Sequence, residues 1–420
     1  MFAWAGLSAI VVFSLFASSG LAQQPLYPLK EGIVQPLQSR DIPSWMTLDM
    51  ELRGRTEEQS SMGYISGKDR LYELTRIWGG MTVRPTNWLT SYAQFTDVHA
   101  LGLPLQDTTA ATMRDAFDLR QGYLNFHYKP VQFIVGRQEL RIGDERVVGI
   151  ADWPNTSRTW DGFYMRIGNV NQLNLFSTSV VTVHPGSLDT HGAGLTFHGV
   201  HAKLVSYVPH TTMEPFVLIH ALPRVPSQSQ PGLFGTETEV TFGSYYETKL
   251  LVGFDSSGTF DLQRGSYSND SIHAGSANVR GGYRATRLPW RPHLEVEYDY
   301  ATGNPHTNAN RIGTYDQVYP SNHNVFGLVD LFGFENIKQD RVNLQLAPRS
   351  NVTILLQGGR CTWRRAAMAC TRVPVPCCSQ PRRRASRVTT SAASSMPRQS
   401  TPTTSRSSPT SAWVTSSLVR

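Results

Sequence analysis

The sequence predicts an all-β protein, a large antiparallel transmembrane β-barrel. Three observations carry that reading. Apolar and polar residues alternate with period two through most of residues 45–357. Many of the alternating stretches run ten residues or more, close to what a tilted strand needs to cross a bilayer. Short and long connections alternate between them, as in barrels with tight turns at one rim and loops at the other.

The first element is a leader. Ala3–Ser18 is apolar and Gly20-Leu21-Ala22 offers small residues before Gln23, so residues 1–22 read as a Sec-type secretory signal. No Lys or Arg precedes the apolar core, which departs from the usual pattern. A membrane anchor would need about 20 apolar residues, and no later segment is long and apolar enough to be a transmembrane helix. Residues 23–40 follow as a periplasmic N-terminal segment, and residues 41–358 as the barrel.

Within the barrel the strands state their own faces. In WMTLDMELRGR (45–55), Met46, Leu48, Met50 and Leu52 oppose Thr47, Asp49, Glu51, Arg53 and Arg55. In HLEVEYDY (293–300), Leu294, Val296, Tyr298 and Tyr300 oppose His293, Glu295, Glu297 and Asp299. IWGGMTVR (77–84) and QGYLNFHY (121–128) alternate in the same way. A soluble sandwich also alternates. The densely charged polar face, with aromatics closing the apolar one, favours a lipid-facing band around a wet lumen. The turns RPTNW (84–88), YKPVQ (128–132), PWRP (289–292) and APRSN (347–351) place Pro where a missing N–H does no harm. Roughly twelve to fourteen strand candidates precede residue 358, and 209–245 is the least legible stretch.

The stretch GRQELRIGDERVVG (136–149) runs from an apolar strand straight into charge. Read as one strand over 131–142, it passes the membrane band near Gly136, and Arg137, Glu139 and Arg141 line one wall at the pore mouth. A bare Arg in lipid would cost about 2–4 kcal/mol at the midplane, so these side chains must meet water or protein. Arg84, Arg137, Arg141 and Arg166 suit two roles: a salt-bridge network that stiffens the wall, or a ring of charge that selects ions.

The last 60 residues differ in every respect. The whole chain is +7 and residues 361–420 contribute +10 through ten Arg, with no Lys, Asp or Glu, so the first 360 residues sum to −3. All four cysteines, Cys361, Cys370, Cys377 and Cys378, lie there. The basic balance is therefore no nucleic-acid footprint of the main body. Residues 359–420 read as an aberrant basic low-complexity tail, the product of a reading-frame shift near codon 360 or a disordered Ser/Thr/Arg/Pro extension. On the first reading the Cys pair and the Arg run 382–384 have no evolved role.

Enzyme signatures are lacking. No Gly-rich nucleotide loop or serine elbow is present. Glu295, Glu297 and Asp299 could suggest glycoside chemistry, but carboxylates at i, i+2 and i+4 are what any polar lumen wall shows. His191, His198 and His201 sit near one hairpin without a carboxylate or thiolate at ligand-like spacing, so neither metal nor cofactor is expected.

Two motifs carry a resemblance. The first is Gly136-Arg137-Gln138, then Gly143-Asp144-Glu145-Arg146, then Trp153, Asn155, Arg158 and Trp160-Asp161-Gly162. The second is Tyr319-Pro320, His323, Gly327, Asp330 and Asn336-Ile337. Together they resemble the alginate export family of outer-membrane proteins over about residues 40–358. The resemblance implies a barrel of about eighteen strands with an arginine-rich constriction for a polyuronate. It implies Arg137, Arg141, Arg146 and Arg158 as that constriction, with Glu139, Asp144 and Asp161 as ion-pair partners. It also implies an outer-membrane location in a Gram-negative-type bacterium and an anionic polysaccharide or oligosaccharide as the passenger. Membrane lipid and the β-barrel assembly machinery are the further partners. The chain ends Leu418-Val419-Arg420, without the family's terminal aromatic residue, so an incomplete barrel is expected. The alternatives are a general porin with structural arginines and a secreted β-rich adhesin.

Overall fold

The computed structural model describes residues 35–37, 42–59, 69–104, 112–228, 234–250, 252–304, 310–326, 333–349, 352–363 and 412–419. The expected signal segment, most of the expected tail, and the motif residues Gly327 and Asp330 lie outside the described residues.

The elements in chain order are β1 (Gln35–Leu37), β2 (Met46–Gln59), β3 (Arg70–Thr86), β4 (Leu89–Leu101), β5 (Asp115–Tyr128), β6 (Val131–Gln138), β7 (Trp160–Ile167), β8 (Gln172–Thr182), β9 (Thr190–Val208), β10 (Thr211–Gln228), β11 (Phe234–Lys249), β12 (Phe254–Tyr267), β13 (Asp270–Arg284), β14 (His293–Ala301), β15 (Arg311–Ile312), α1 (Asn322–Phe326), β16 (Ile337–Arg349), β17 (Val352–Trp363) and β18 (Ala412–Val419). Among the described residues, fifteen strands of eight residues or more begin before residue 358, against the twelve to fourteen candidates legible there in the sequence, and β18 lies beyond. The illegible stretch 209–245 contributes β10 and β11.

Each long strand from β2 onward pairs antiparallel with the next, β14 passing over the two-residue β15 to reach β16. β1 adds to β2, and β15 lies parallel beside β13. Among the described residues no register joins β18 to β1 or β2, so the sheet is not closed.

Burial decides which face meets what. On β14, Leu294, Val296 and Tyr298 are 51%, 56% and 42% exposed, while Glu295, Glu297 and Asp299 between them are 6%, 4% and 0% exposed. A soluble sandwich would bury the apolar set. Here the apolar parity faces out, as lipid requires, and the charged parity faces in. Leu52, Ile77, Phe95, Leu262 and Val342 continue the outward band, and Trp88, Tyr128, Tyr207 and Trp290 stand exposed where strands end at the short-turn rim. No helix among the described residues is long and apolar enough to cross a membrane, which says nothing of a β-barrel.

The four Pro-bearing turns all fall at one rim, joining β3 to β4, β5 to β6, β13 to β14 and β16 to β17. At the other rim two long connections turn inward: residues 139–159 between β6 and β7, and, between β15 and β16, the described residues 313–326 and 333–336. The largest buried cluster forms where the first of them meets the wall. Leu140, Ile142, Val147, Val148 and Ile150 pack there on Trp160, Phe176, Phe197, Phe216 and Leu218 of β7 to β10.

Candidate functional site

The charged stretch is not one continuous strand. β6 ends at Gln138, and the chain then leaves the wall and crosses the interior. Leu140, Ile142, Val147, Val148 and Ile150 supply enough apolar surface to bury the segment against the inward aromatics of β7 to β10. A small antiparallel bridge, Ile142 N–H to Val148 O at 3.0 Å, folds the segment on itself. Gly143 permits the turn, since it takes φ +57° and a Cβ there would run into the Tyr245 ring of β11.

The charges tie this crossing segment to opposite walls. Arg146, 1% exposed, donates to Glu297 at 2.8 Å and Asp299 at 2.9 Å on β14, and lies 3.4 Å from Asp144. Asp144 also accepts from Arg280 of β13 at 2.6 Å, and Arg341 of β16 completes the group on Glu297. Further on, Asp152 accepts from Arg76 of β3 at 2.9 Å, and Arg76 also holds Glu51 of β2. Arg53 of β2 donates to Asp152 O at 3.0 Å and to Asn155 Oδ1 at 3.0 Å. Asn155, fully buried, donates to Thr75 O, His99 O and Met113 O at 2.9–3.2 Å. One segment thus bonds to β2 to β4, packs on β7 to β10, and ion-pairs with β13 and β14. Three sectors of the wall meet at this constriction.

The second inward connection buttresses the first. Gly149 N–H donates to Tyr319 O at 2.7 Å and Tyr319 N–H to Val147 O at 3.0 Å. Ser321 Oγ donates to Glu145 Oε2 at 2.7 Å and accepts from Ala151 N–H at 2.9 Å. His323, in α1, stacks on Trp153 with ring centroids 3.6 Å apart, and the Arg55 guanidinium covers Trp153 at 3.7 Å. Its own apolar side chains, Tyr315, Val325, Phe326 and Phe334, pack on Ala274, Ala301, Ile337 and Cys361 of the wall.

The predicted arginines fall into three groups. Arg141 and Arg146 lie in the constriction, held by carboxylates. Arg141 donates to Glu145 at 2.5 Å and Glu139 at 3.2 Å, and Glu139 also accepts from Arg120 of β5 at 2.5 Å. Arg158 joins them without an ion pair: it donates to Gly149 O at 2.6 Å, Tyr319 O at 2.9 Å and Pro320 O at 3.3 Å.

Arg137 corrects the expected wall placement. It shares its side of β6 with Val131, Phe133 and Val135, the outward side, because the strand keeps its alternation to Gln138. It is tolerated there through a two-pronged pair with Asp161 at 2.8 and 3.2 Å and through Leu119 O and Asp189 O.

Arg84 and Arg166 sit near the short-turn rim. Arg84 is exposed and 3.3 Å from Thr47 Oγ1, and Arg166 is half-buried against Asn174 and Gln132. Both lie on the inward parity, with Trp78 on β3 and Tyr164 on β7. Among the described residues neither forms an ion pair with a carboxylate.

Arg53, Arg55, Arg76, Arg120, Arg280 and Arg341 escaped the sequence reading. The available signal was an arginine on the polar parity of a strand. Some of their partners lie far away in sequence, 136 residues for Arg280 and Asp144.

Electrostatics outside the strands follows these contacts. Burial alone would raise the Glu139 carboxyl, but Arg120 and Arg141 over-compensate and hold it below its ordinary range. Asp152 is lowered in the same way by Arg76, Arg53 and Arg120 against burial. Arg158 is pulled down to about 10 by burial, since carbonyls stabilise its charge less than a carboxylate would.

A family model described as Alginate export matches residues 44–370. Among curated proteins none matches this sequence. Among solved structures, Acinetobacter baumannii OccAB4 is similar at 10% identity and a TM-score of 0.49, covering 77% of this chain and 83% of that one. Pseudomonas aeruginosa OccD3 (OpdP) is similar at 10% identity and 0.48, covering 78% and 75%. OmpT of Vibrio cholerae is similar at 10% identity and 0.44, covering 79% and 91%.

Proposed function

The chain belongs to the alginate export family, and from that membership we propose that this outer-membrane channel passes anions passively, its passenger being a polyuronate such as alginate or its oligomers. The observation that carries the reading is the inverted wall: apolar outside, charged inside, narrowed by a segment held at three sectors. Not every predicted arginine serves as filter. The guanidiniums already matched by carboxylates set the shape of the constriction. Arg84 and Arg166, whose charge no carboxylate offsets, act on the passing anion at the short-turn vestibule. Arg158 adds a positive charge behind the constriction. In this reading the chain reaches the periplasm by Sec-dependent export, the assembly machinery inserts it, and lipid covers the outward band.

The test is the reversal potential of the reconstituted full-length protein in a planar bilayer under a KCl gradient. Anion preference is expected, together with block of the current by oligouronate. Cation preference would sink the proposal. A current indifferent to oligouronate favours the second reading, a general porin whose arginines are structural, which the carboxylate partners of Arg137, Arg141 and Arg146 support.

A further inference from the structure

We propose that Asp115, Asp118 and Asp189 form a binding site for a divalent cation, calcium before others, which fastens the β8–β9 connection to the start of β5 at the long-loop rim. One carboxylate oxygen of each residue lies within 4.8 Å of the other two. Oxygens on one calcium ion, each at about 2.3–2.6 Å from it, lie no more than about 5 Å apart. The three can therefore share an ion.

Two of the carboxylates are already aimed by amides. Asp118 accepts from Leu119 N–H at 2.5 Å and from Asp189 N–H across 71 residues of chain. Asp189 accepts from His184 N–H at 2.8 Å. Asp115 is different. It is 3% exposed, and its Oδ1 has no hydrogen-bond partner among the described residues. A buried carboxylate oxygen without a donor is costly, and this one has two further carboxylates for neighbours. The guanidinium whose field reaches the group, Arg137, is engaged elsewhere by Asp161, Leu119 O and Asp189 O. One guanidinium, already paired with Asp161, is thus shared among three further carboxylates that face one another. A bound dication would supply the missing partner. An all-oxygen set without His or Cys selects calcium or magnesium over zinc, and calcium accepts the irregular geometry more readily. Water would complete the coordination, so the affinity belongs with extracellular modules, about 10⁻⁴–10⁻³ M.

The experiment is calorimetric titration of EDTA-stripped, detergent-solubilised full-length protein with CaCl2. Thermal unfolding in EDTA and in excess calcium gives a second readout. One saturable site is expected, with a calcium-dependent rise in Tm. Asp189→Asn, in a connection rather than a strand, should weaken binding about tenfold or more and abolish that rise. Asp115→Asn should do the same. Glu247→Gln, near the opposite rim, should bind like the parent. Saturation by magnesium at the same residues supports the site with the other ion. Absence of saturable binding to the parent overturns the proposal, as does binding unchanged by Asp189→Asn, which decides the matter if Asp115→Asn does not fold.

Discussion

Replacing Arg146 by methionine tests whether ion pairs hold the constriction in place. Arg146 touches three carboxylates, but its loss orphans only one. Glu297 keeps Arg341 at 2.9 Å, and Asp144 keeps Arg280 at 2.6 Å. Asp299 is left with the Asn278 amide at 2.6 Å as its donor among the described residues and is itself 0% exposed. Removing one member of a buried pair costs about 3–5 kcal/mol because the other charge stays dry. The cost falls on the docked state alone, since undocking lets water reach Asp299. At about 1.4 kcal/mol per factor of ten, the opening equilibrium of residues 139–159 should shift by about 10²- to 4 × 10³-fold. The assay is hydrogen exchange at the amides that close the segment, Ile142, Gly149 and Tyr319, with β8 and β9 as unaffected references. Adding Asp299→Asn to Arg146→Met should restore about 1–2 kcal/mol of protection, because the orphaned charge goes with it. Exchange that changes less than about threefold in the single variant would refute the reasoning and leave the apolar cluster and the contacts of Asp152 and Asn155 as the anchors.

Three further outcomes are expected. Arg84→Gln and Arg166→Gln should each lower the anion-to-cation permeability ratio by about twofold to fivefold, the effect of one unit charge a few ångströms from the path in water; Arg137→Gln should leave the ratio unchanged. Protection of residues 139–159 should depend on acid. Glu139 and Asp152 have lowered carboxyl pKa values, so their stabilisation is complete above the ordinary carboxylate range and lost as pH falls through their folded values, below about 4. Exchange measured from pH 7 downward should be flat at first and then rise, and a rise beginning near pH 6 would assign the clamp to other groups. Gly143→Ala should loosen the segment by about 2 kcal/mol or more, through a left-handed φ and contact with the Tyr245 ring, read as faster exchange at Ile142.

Much of the wall was legible because lipid outside and charge inside enforce period two. β2 and β14 could be assigned residue by residue for that reason. β10 could not, and its packing explains why. Phe216 and Leu218 face in, where they bury against the crossing segment, while Val217 and Ile219 face out. With both parities apolar the alternation disappears, and Pro215, Pro223 and Pro226 obscure the rest. The charged stretch misled in the complementary way. Leu140 and Ile142 keep the spacing of a strand, yet they bury in an interior cluster after the strand has ended at Gln138. The constriction's residue types were visible, but its pairings were not. Arg146 reaches Glu297 across 151 residues, and no local pattern encodes such a partner. The aspartates at the rim pose the same difficulty, with Asp189 and Asp118 separated by 71 residues.

The three-sector anchoring of residues 139–159 also fixes an order of events in time. Its ion-pair partners on β13 and β14 are made long after it in the chain, so its docking cannot be completed until those strands are paired. Contacts across such sequence separations form slowly, because the intervening chain must first be ordered. The interior is therefore the last part of the molecule to set, and the finished wall is its mould.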